Sequence, residues 1–232
     1  MEFLGYERGD GGIGTRNYVG ILSTVICGNE VADKIASQVL GATAFLHHQG
    51  CCQTPIDINR VNDVLIGLGK NPNLAAVLLV SLGCESTNIH LVADAIAATG
   101  KRVETILIQE EGGAAKSVAR GILLAQSMVT DASGLKRAPF PLSELVLGLK
   151  CGSSDTTSGL SANPVVGILS DLIVEAGGTS ILGEVTEFIG AEHLLAKHAK
   201  DEKTARKMLA LVERMENRAI QMGFDIRGGQ PT

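Results

Sequence analysis

The residues of this chain able to do chemistry stand beside glycines, in six short clusters. Cys27 opens Cys27-Gly28-Asn29-Glu30, and His47-His48-Gln49-Gly50 runs into Cys51-Cys52. Cys84 lies in Gly83-Cys84-Glu85-Ser86, and Gln109-Glu110-Glu111-Gly112-Gly113 follows. The last two clusters are Lys150-Cys151-Gly152-Ser153-Ser154-Asp155 and Gly183-Glu184-Val185-Thr186-Glu187. Thiolates, imidazoles and carboxylates are the groups that bind metals or move protons, and hydroxyl-rich loops suit an oxyanion. Each cluster also has a plainer reading. A single cysteine behind an apolar strand is often a small buried hydrophobe. Glu110-Glu111 suits the solvated start of a helix, and 152–159 suits a flexible loop. His47 and His48 are adjacent, so at most one should face a common crevice. The opening loop, Arg8-Gly9-Asp10-Gly11-Gly12-Ile13-Gly14-Thr15-Arg16-Asn17, is either a surface arm or a source of a fixed guanidinium, Arg16, for a carboxylate. Cys51-Cys52 is not a zinc spacing, HExxH and GxxxxGK[ST] are absent, and the one GxGxxG run, at 9–14, precedes the first predicted strand instead of linking a strand to a helix, so a nucleotide site has no support.

The elements that must position these clusters are legible from periodicity. Short β-branched runs at 18–26, 43–46, 75–82, 103–108, 145–149 and 179–182 read as strands. Between them apolar residues recur every three or four positions, as in Ile58, Val61, Leu65 and Leu68, or Val118, Ile122 and Ala125. Thr54-Pro55 and Asn163-Pro164 read as helix starts. Strands alternating with helices predict an α/β fold: a Rossmann-like parallel sheet with flanking helices, and a second, incomplete α/β unit. The first unit should span 1–130 with four strands, 131–143 (rich in Gly and Pro) should be a linker, and 144–232 should begin the second unit. All six clusters follow a predicted strand. Ligands of parallel sheets bind beyond the carboxyl ends of the strands, so the six ends are expected to converge on one crevice between the units.

Composition narrows the function further. Hydrophobic residues are 45% and charged residues 19% of 232, so a sizeable core is expected. A net charge of −5 and seven aromatic residues argue against a nucleic-acid surface. The start lacks a signal-peptide pattern, no apolar run approaches the ~20 residues of a membrane span, and an odd number of cysteines suggests reduced thiols, so a cytoplasmic location is expected. In the charged tail, Met208, Leu211, Val212, Met215 and Ala219 form one stripe of a helix over about 202–222, with Gly223 as its stop. That stripe should pack on the first unit or on a second copy, so a homo-oligomer is expected.

The motifs GYERGDGGIGTRNY (5–18), HHQGC (47–51), NPNLAAVLLVSLGCE (71–85), LKCGSSDTTSGLSANP (149–164) and EVTEFIGAEHLL (184–195) occur in this order along nearly the whole chain. In this the chain resembles the altronate/galactarate dehydratase family, which includes the large subunit of sulfolactate sulfo-lyase. The resemblance implies a large-subunit portion that normally continues past Thr232, with a small domain or subunit often preceding the equivalent of Met1. It implies elimination of water from a small hydroxy acid with a divalent metal, Fe(II) or Mn(II). A metal chelated by the substrate would stabilise the enediolate and the leaving hydroxide, and a general base would take the α-hydrogen. On this reading Cys51, Cys84, Glu85 and Cys151 are the metal ligands, with Glu110 a further candidate. His48, Glu110, Glu184 and His193 are the acids and bases, and Arg16, Asn17, Asn29, Ser154, Asp155 and Asn163 hold the substrate. The alternatives are elimination of sulfite from sulfolactate and a non-catalytic assembly domain of such an enzyme.

Overall fold

The computed structural model describes residues 1–227. Strands and helices, numbered in chain order, are β1 (Glu2–Glu7), β2 (Ile13–Gly14), β3 (Tyr18–Ser23), α1 (Asn29–Ala36), β4 (Ala42–Phe45), α2 (Pro55–Lys70), β5 (Leu74–Ser81), α3 (Ile89–Ala97), β6 (Arg102–Leu107), α4 (Ala114–Ser133), β7 (Ala138–Pro141), β8 (Val146–Leu149), α5 (Asn163–Glu175), β9 (Thr179–Leu182), α6 (Glu192–Lys197) and α7 (Glu202–Gln221). The chain divides into two compact units, Glu2–Phe140 and the part from Pro141 onward.

The first unit is built on a four-stranded, wholly parallel sheet in the order β4-β3-β5-β6. β3 and β5 are its centre, with Val19 opposite Ala76 and Leu22 opposite Leu79. Their near-continuous apolar runs are what a strand covered on both faces requires. On one face Val19, Ile21, Leu78, Val80 and Ile106 pack against Val31 and Ile35 of α1 and Ala125 and Met128 of α4. On the other, Leu22, Val77 and Leu79 meet Leu65 of α2 and Val92 and Ile96 of α3. The sheet is therefore doubly wound, as the alternating pattern predicts. Side-chain caps start two of the helices of this unit, α2 at its expected position and α3 at a cap that the sequence pattern does not single out. Thr54 caps α2 by accepting from the Asp57 N–H at 3.4 Å with Pro55 behind it, and Asn88 caps α3 through the Leu91 N–H at 3.0 Å.

Three short strands escape the periodicity. β2, β1 and β7 form a separate small sheet, with β1 and β2 antiparallel. The stretch 131–143, expected to be a linker, instead carries the last turn of α4 and then β7. Pro139 and Pro141 are compatible with β7 because it lies at the edge of its sheet, where a missing N–H costs no ladder bond.

The second unit holds two parallel strands, β8 and β9, with Val146 opposite Thr179 and Leu149 opposite Leu182, joined through α5. α5 does not start at an Asn163 cap: Asn163 is already helical (φ −66°, ψ −42°), and a π-helical turn, Ser158–Ala162, runs into it. α7 packs on α6 within this unit and buries Val212, while Leu211 and Met215 stay exposed. Gly223 ends α7 as expected, at φ 85°, with its N–H donating to Ile220 O and the Phe224 N–H to Ala219 O. That bond pair in a left-handed residue is the glycine stop of a helix.

Candidate active site

In the first unit the sheet order reverses between β3 and β5, the place where open α/β sheets form a ligand crevice. The loops that leave the strand ends there are tied to one another. Thr24, just past β3, donates to Glu85 Oε1 at 2.6 Å, and the Gly83 N–H donates to Glu85 Oε2 at 2.7 Å. Burial alone would raise the Glu85 carboxyl, but hydrogen bonds from Ser81, Thr24 and the Gly83 and Glu85 N–H groups outweigh it and hold it below its ordinary value. Glu85 is thus an ionised clasp across the switch point with its oxygens already engaged.

The loop after β4 crosses over this clasp. The Ile26 N–H donates to Gln49 O, and the Ser86 and Thr87 N–H groups donate to Gly50 O at 3.0 and 3.2 Å. His47, not His48, turns inward. Its Nε2–H donates to Ser23 O at 2.9 Å, and its Nδ1 accepts from the Gln49 N–H at 3.2 Å. A carbonyl can only accept and an N–H can only donate, so this pair of bonds fixes a neutral ring. Burial lowers the His47 pKa, the Ser23 bond opposes that, and the charge of His48 adds to it. A depressed histidine contributes stability that is complete above its ordinary value of 6.5 and is lost as pH falls from there towards the folded value. Thermal melts at pH 7.5 and 5.5 should show the wild type losing more stability than His47→Gln over that interval, and equal losses would remove His47 from the account.

Asn29, the first residue of α1, donates from Nδ2 to His47 O at 2.8 Å. Its Oδ1 is buried with no hydrogen-bond partner, the one such side-chain atom among the described residues. A bare buried amide oxygen is costly, about 1–3 kcal/mol, and a ligand hydroxyl or a water would satisfy it. Cys27, Cys51, Cys52 and Cys84 are exposed around this end of the sheet. Cys51 and Cys52 sulfurs lie 3.5 Å apart, and their hydrogen bond raises the Cys51 pKa, helped by the nearby Cys84.

In the second unit a cavity of about 760 Å³ opens at the carboxyl ends of β8 and β9. Lys150, Cys151, Ser154, Asn163, Asp171 and Glu187 are among its lining residues. Glu184, at the end of β9, stands beside it, 3.6 Å from Lys150 Nζ. Asp155 is used internally: it accepts from the N–H and hydroxyl of Thr157 and the N–H of Ser158, which hold its carboxyl below the ordinary value.

The remaining expected residues fall elsewhere. Arg16 and Asn17 precede β3 and so sit at the amino end of the sheet, away from the strand ends. Asn17 Oδ1 accepts from Arg8 Nη1 at 2.9 Å and its Nδ2 donates to Ala132 O at 2.7 Å, while Arg16 is exposed. Glu110 is exposed in the turn before α4, and neighbouring Glu111 pairs with Arg120. His193 is exposed in the first turn of α6. Among the described residues no group of three or more His, Cys, Asp or Glu side chains is placed to hold a metal ion. The expected ligands Cys51, Cys84 and Glu85 share one end of the first unit, with Glu85 already bonded, and Cys151 belongs to the second. The sequence pattern does not single out Thr24 or Asp171, and it places Lys150 and Glu187 in strand-end clusters without giving either a role. A strand over 18–26 absorbs Thr24, which lies just past the end of β3, although two hydroxyl residues ending an apolar run mark a strand end, and Lys150 is overshadowed by its cysteine neighbour.

Comparison with protein families gives two matches. Residues 5–133 match the second domain of D-galactarate dehydratase/altronate hydrolase, and residues 142–232 match the D-galactarate/altronate dehydratase C-terminal domain. The chain belongs to this family. It is 39% identical over 212 residues to (2R)-sulfolactate sulfo-lyase subunit beta of Chromohalobacter salexigens, an alignment covering 91% of this chain and 54% of that protein. It is 35% identical over 218 residues to altronate dehydratase of Escherichia coli, covering 89% and 43%. With galactarate dehydratase (L-threo-forming) of Escherichia coli it shares 31% over 251 residues, covering 99% and 48%. The chain thus spans about half the length of these relatives. The boundary between the two matched domains falls at 133–142, next to the division into compact units at Phe140.

Proposed function

We propose that this chain is part of a lyase that removes water from a hydroxy acid of the altronate or galactarate type. The observation that carries the reading is the cavity at the ends of β8 and β9, lined by a cation, a thiol, hydroxyls and an amide, in a member of this family. Such an elimination breaks a weakly acidic C–H bond next to a carboxylate and expels hydroxide. It therefore needs a base near the α-carbon and donors for the developing enediolate. Glu184 is the base that the geometry favours, being the carboxylate at the strand end beside the cavity and paired with Lys150. Ser154 and Asn163 supply donors for substrate hydroxyls from the cavity wall. The divalent ion implied by the resemblance finds no preassembled ligand set among the described residues, and no step is assigned to it.

Glu184→Gln should lower turnover about 100-fold or more, the usual scale for a lost general base. The assay is formation of a 2-keto-3-deoxy acid from altronate or galactarate, run on this chain and on a version extended to the length of its relatives. Turnover unchanged by the substitution would remove Glu184 from the role.

The 39% identity to the sulfo-lyase subunit supports a second reading, elimination of sulfite from sulfolactate. It shares the enolising half-reaction and is separated from the first by measuring released sulfite. Because that relative is a subunit, we place this chain in a multi-subunit enzyme; the small partner subunit rests on the family resemblance, and the cytoplasmic location on the unpaired cysteines. Among the described residues no helix is long and apolar enough to cross a membrane. α5 leaves Val165, Ile168, Leu172 and Val174 exposed, and α7 leaves Leu211 and Met215. Apolar surface of that extent supports association, including between copies of this chain.

A further inference from the structure

We propose that Lys150 anchors the substrate carboxylate, and that in taking the substrate it gives up Glu184, which is thereby freed to receive the α-hydrogen. The inference rests on the hydroxy-acid reading above and deepens it. Three observations carry it. First, Lys150 is the one cationic side chain among the residues described as lining the cavity, and Asp171 and Glu187 are also there. An anion entering this cavity would meet two carboxylates, and Lys150 is the group that makes its entry favourable. Second, Lys150 Nζ stands 3.6 Å from Glu184 Oε2, with both side chains well exposed. A loose, solvated pair of this kind is worth little, so exchanging one carboxylate partner for another costs little. Third, Glu184 has φ 65° and ψ 100°, a left-handed backbone that a side-chain-bearing residue rarely adopts. Such positions persist where the surroundings impose them, and they cluster at functional sites. Here the unusual backbone sets the carboxylate at the end of β9, beside the cavity and within reach of Lys150.

The sequence of events follows from these positions. In the free protein Lys150 occupies Glu184. The substrate carboxylate then takes Lys150, and Glu184 is released with a free oxygen lone pair beside the α-carbon. The proton passes from that carbon to Glu184, and the C–H electron pair becomes the new C=C bond. The C–O bond breaks with its pair on the departing hydroxide, which takes a proton from solvent while Glu184 returns its own proton to solvent, so the net change is loss of one water. A base paired with Lys150 until substrate arrives acts only on a molecule whose carboxylate takes Lys150 from it.

The test is binding and turnover by this chain of altronate, galactarate and sulfolactate, with altronate lactone as a probe lacking the carboxylate. Lys150→Met should weaken binding of the acid that the wild type prefers at least 10-fold and leave lactone binding unchanged, which also serves as the control for folding. Lys150→Arg should restore most of the loss. Glu184→Gln should lower kcat while leaving acid binding equal or tighter, because the competitor for Lys150 has lost its charge. Unchanged acid binding in Lys150→Met, or binding weakened as much by Glu184→Gln as by Lys150→Met, overturns the exchange while leaving the hydroxy-acid reading standing. A wild-type chain that binds none of the three acids overturns both.

Discussion

Replacing Gly50 with alanine should unfold the crossing loop and cost the first unit about 2–4 kcal/mol. Gly50 has φ 107°, and a Cβ there would lie 2.5 Å from Thr24 O and 2.8 Å from Val25 Cα. Both contacts are with backbone at the end of a central strand, which cannot retreat without breaking the β3–β5 ladder. The same residue's carbonyl receives the Ser86 and Thr87 N–H groups. One methyl group therefore acts on three strand-end loops together: those after β3, β4 and β5. The measurement is a denaturant melt followed by far-UV circular dichroism, with Gly67→Ala as a control, since a Cβ at Gly67 meets nothing within 4 Å. Equal midpoints for wild type and Gly50→Ala would mean that the loop is not held against β3 as described.

The second large effect is expected at the opposite end of the sheet. Arg8 is 7% exposed and its guanidinium donates to Pro72 O at 2.7 Å, Asn17 Oδ1 at 2.9 Å and Arg16 O at 3.0 Å. It also lies over the Tyr6 ring at 5.6 Å. Arg8→Met removes all three donors and leaves their acceptors poorly solvated. A loss of about 3 kcal/mol is expected, because bonds from a charged donor are worth about 1.5–3 kcal/mol each and partial relaxation recovers some of that sum. Arg16→Ala, at an exposed position whose one side-chain bond is 3.3 Å to Thr15 O, should stay within about 0.5 kcal/mol. The comparison decides which arginine of the glycine-rich opening loop has a fixed role. If Arg16→Ala were the more damaging, Arg16 and not Arg8 would be the residue that fixes the amino end of the sheet.

That contrast shows what the sequence makes legible. The apolar run of 74–82 and the run from 18 onward read as strands buried on two faces, so the centre of the parallel sheet follows from periodicity, while the edge strand β4 is only half-buried. The 179–182 strand and the 202–222 helix likewise follow from alternation and from a glycine stop. The small sheet of β1, β2 and β7 does not, because its strands are two to six residues long, and β7, with its two prolines, lies at an edge. Side-chain direction is harder still. His47 and His48 differ by one residue and so point apart, and only the exact end of β4 decides which one reaches Ser23. Arg16 looked like a carboxylate grip because it precedes a strand closely, yet precedence places it at the amino end. Asp155 looked like a substrate contact, but short polar side chains at loop starts readily bond to their own backbone two or three residues on.

The central claim is that this chain belongs to an enzyme that abstracts an α-hydrogen and expels a β-substituent from a hydroxy acid. Proton NMR in D2O, with altronate, galactarate and sulfolactate offered separately to the chain extended to its relatives' length, tests it most directly. The account predicts loss of the α-hydrogen signal of one of the three, with appearance of a 2-keto acid carrying deuterium at C3, and loss of that turnover in Glu184→Gln. All three acids retaining their α-hydrogens on a folded protein would contradict it.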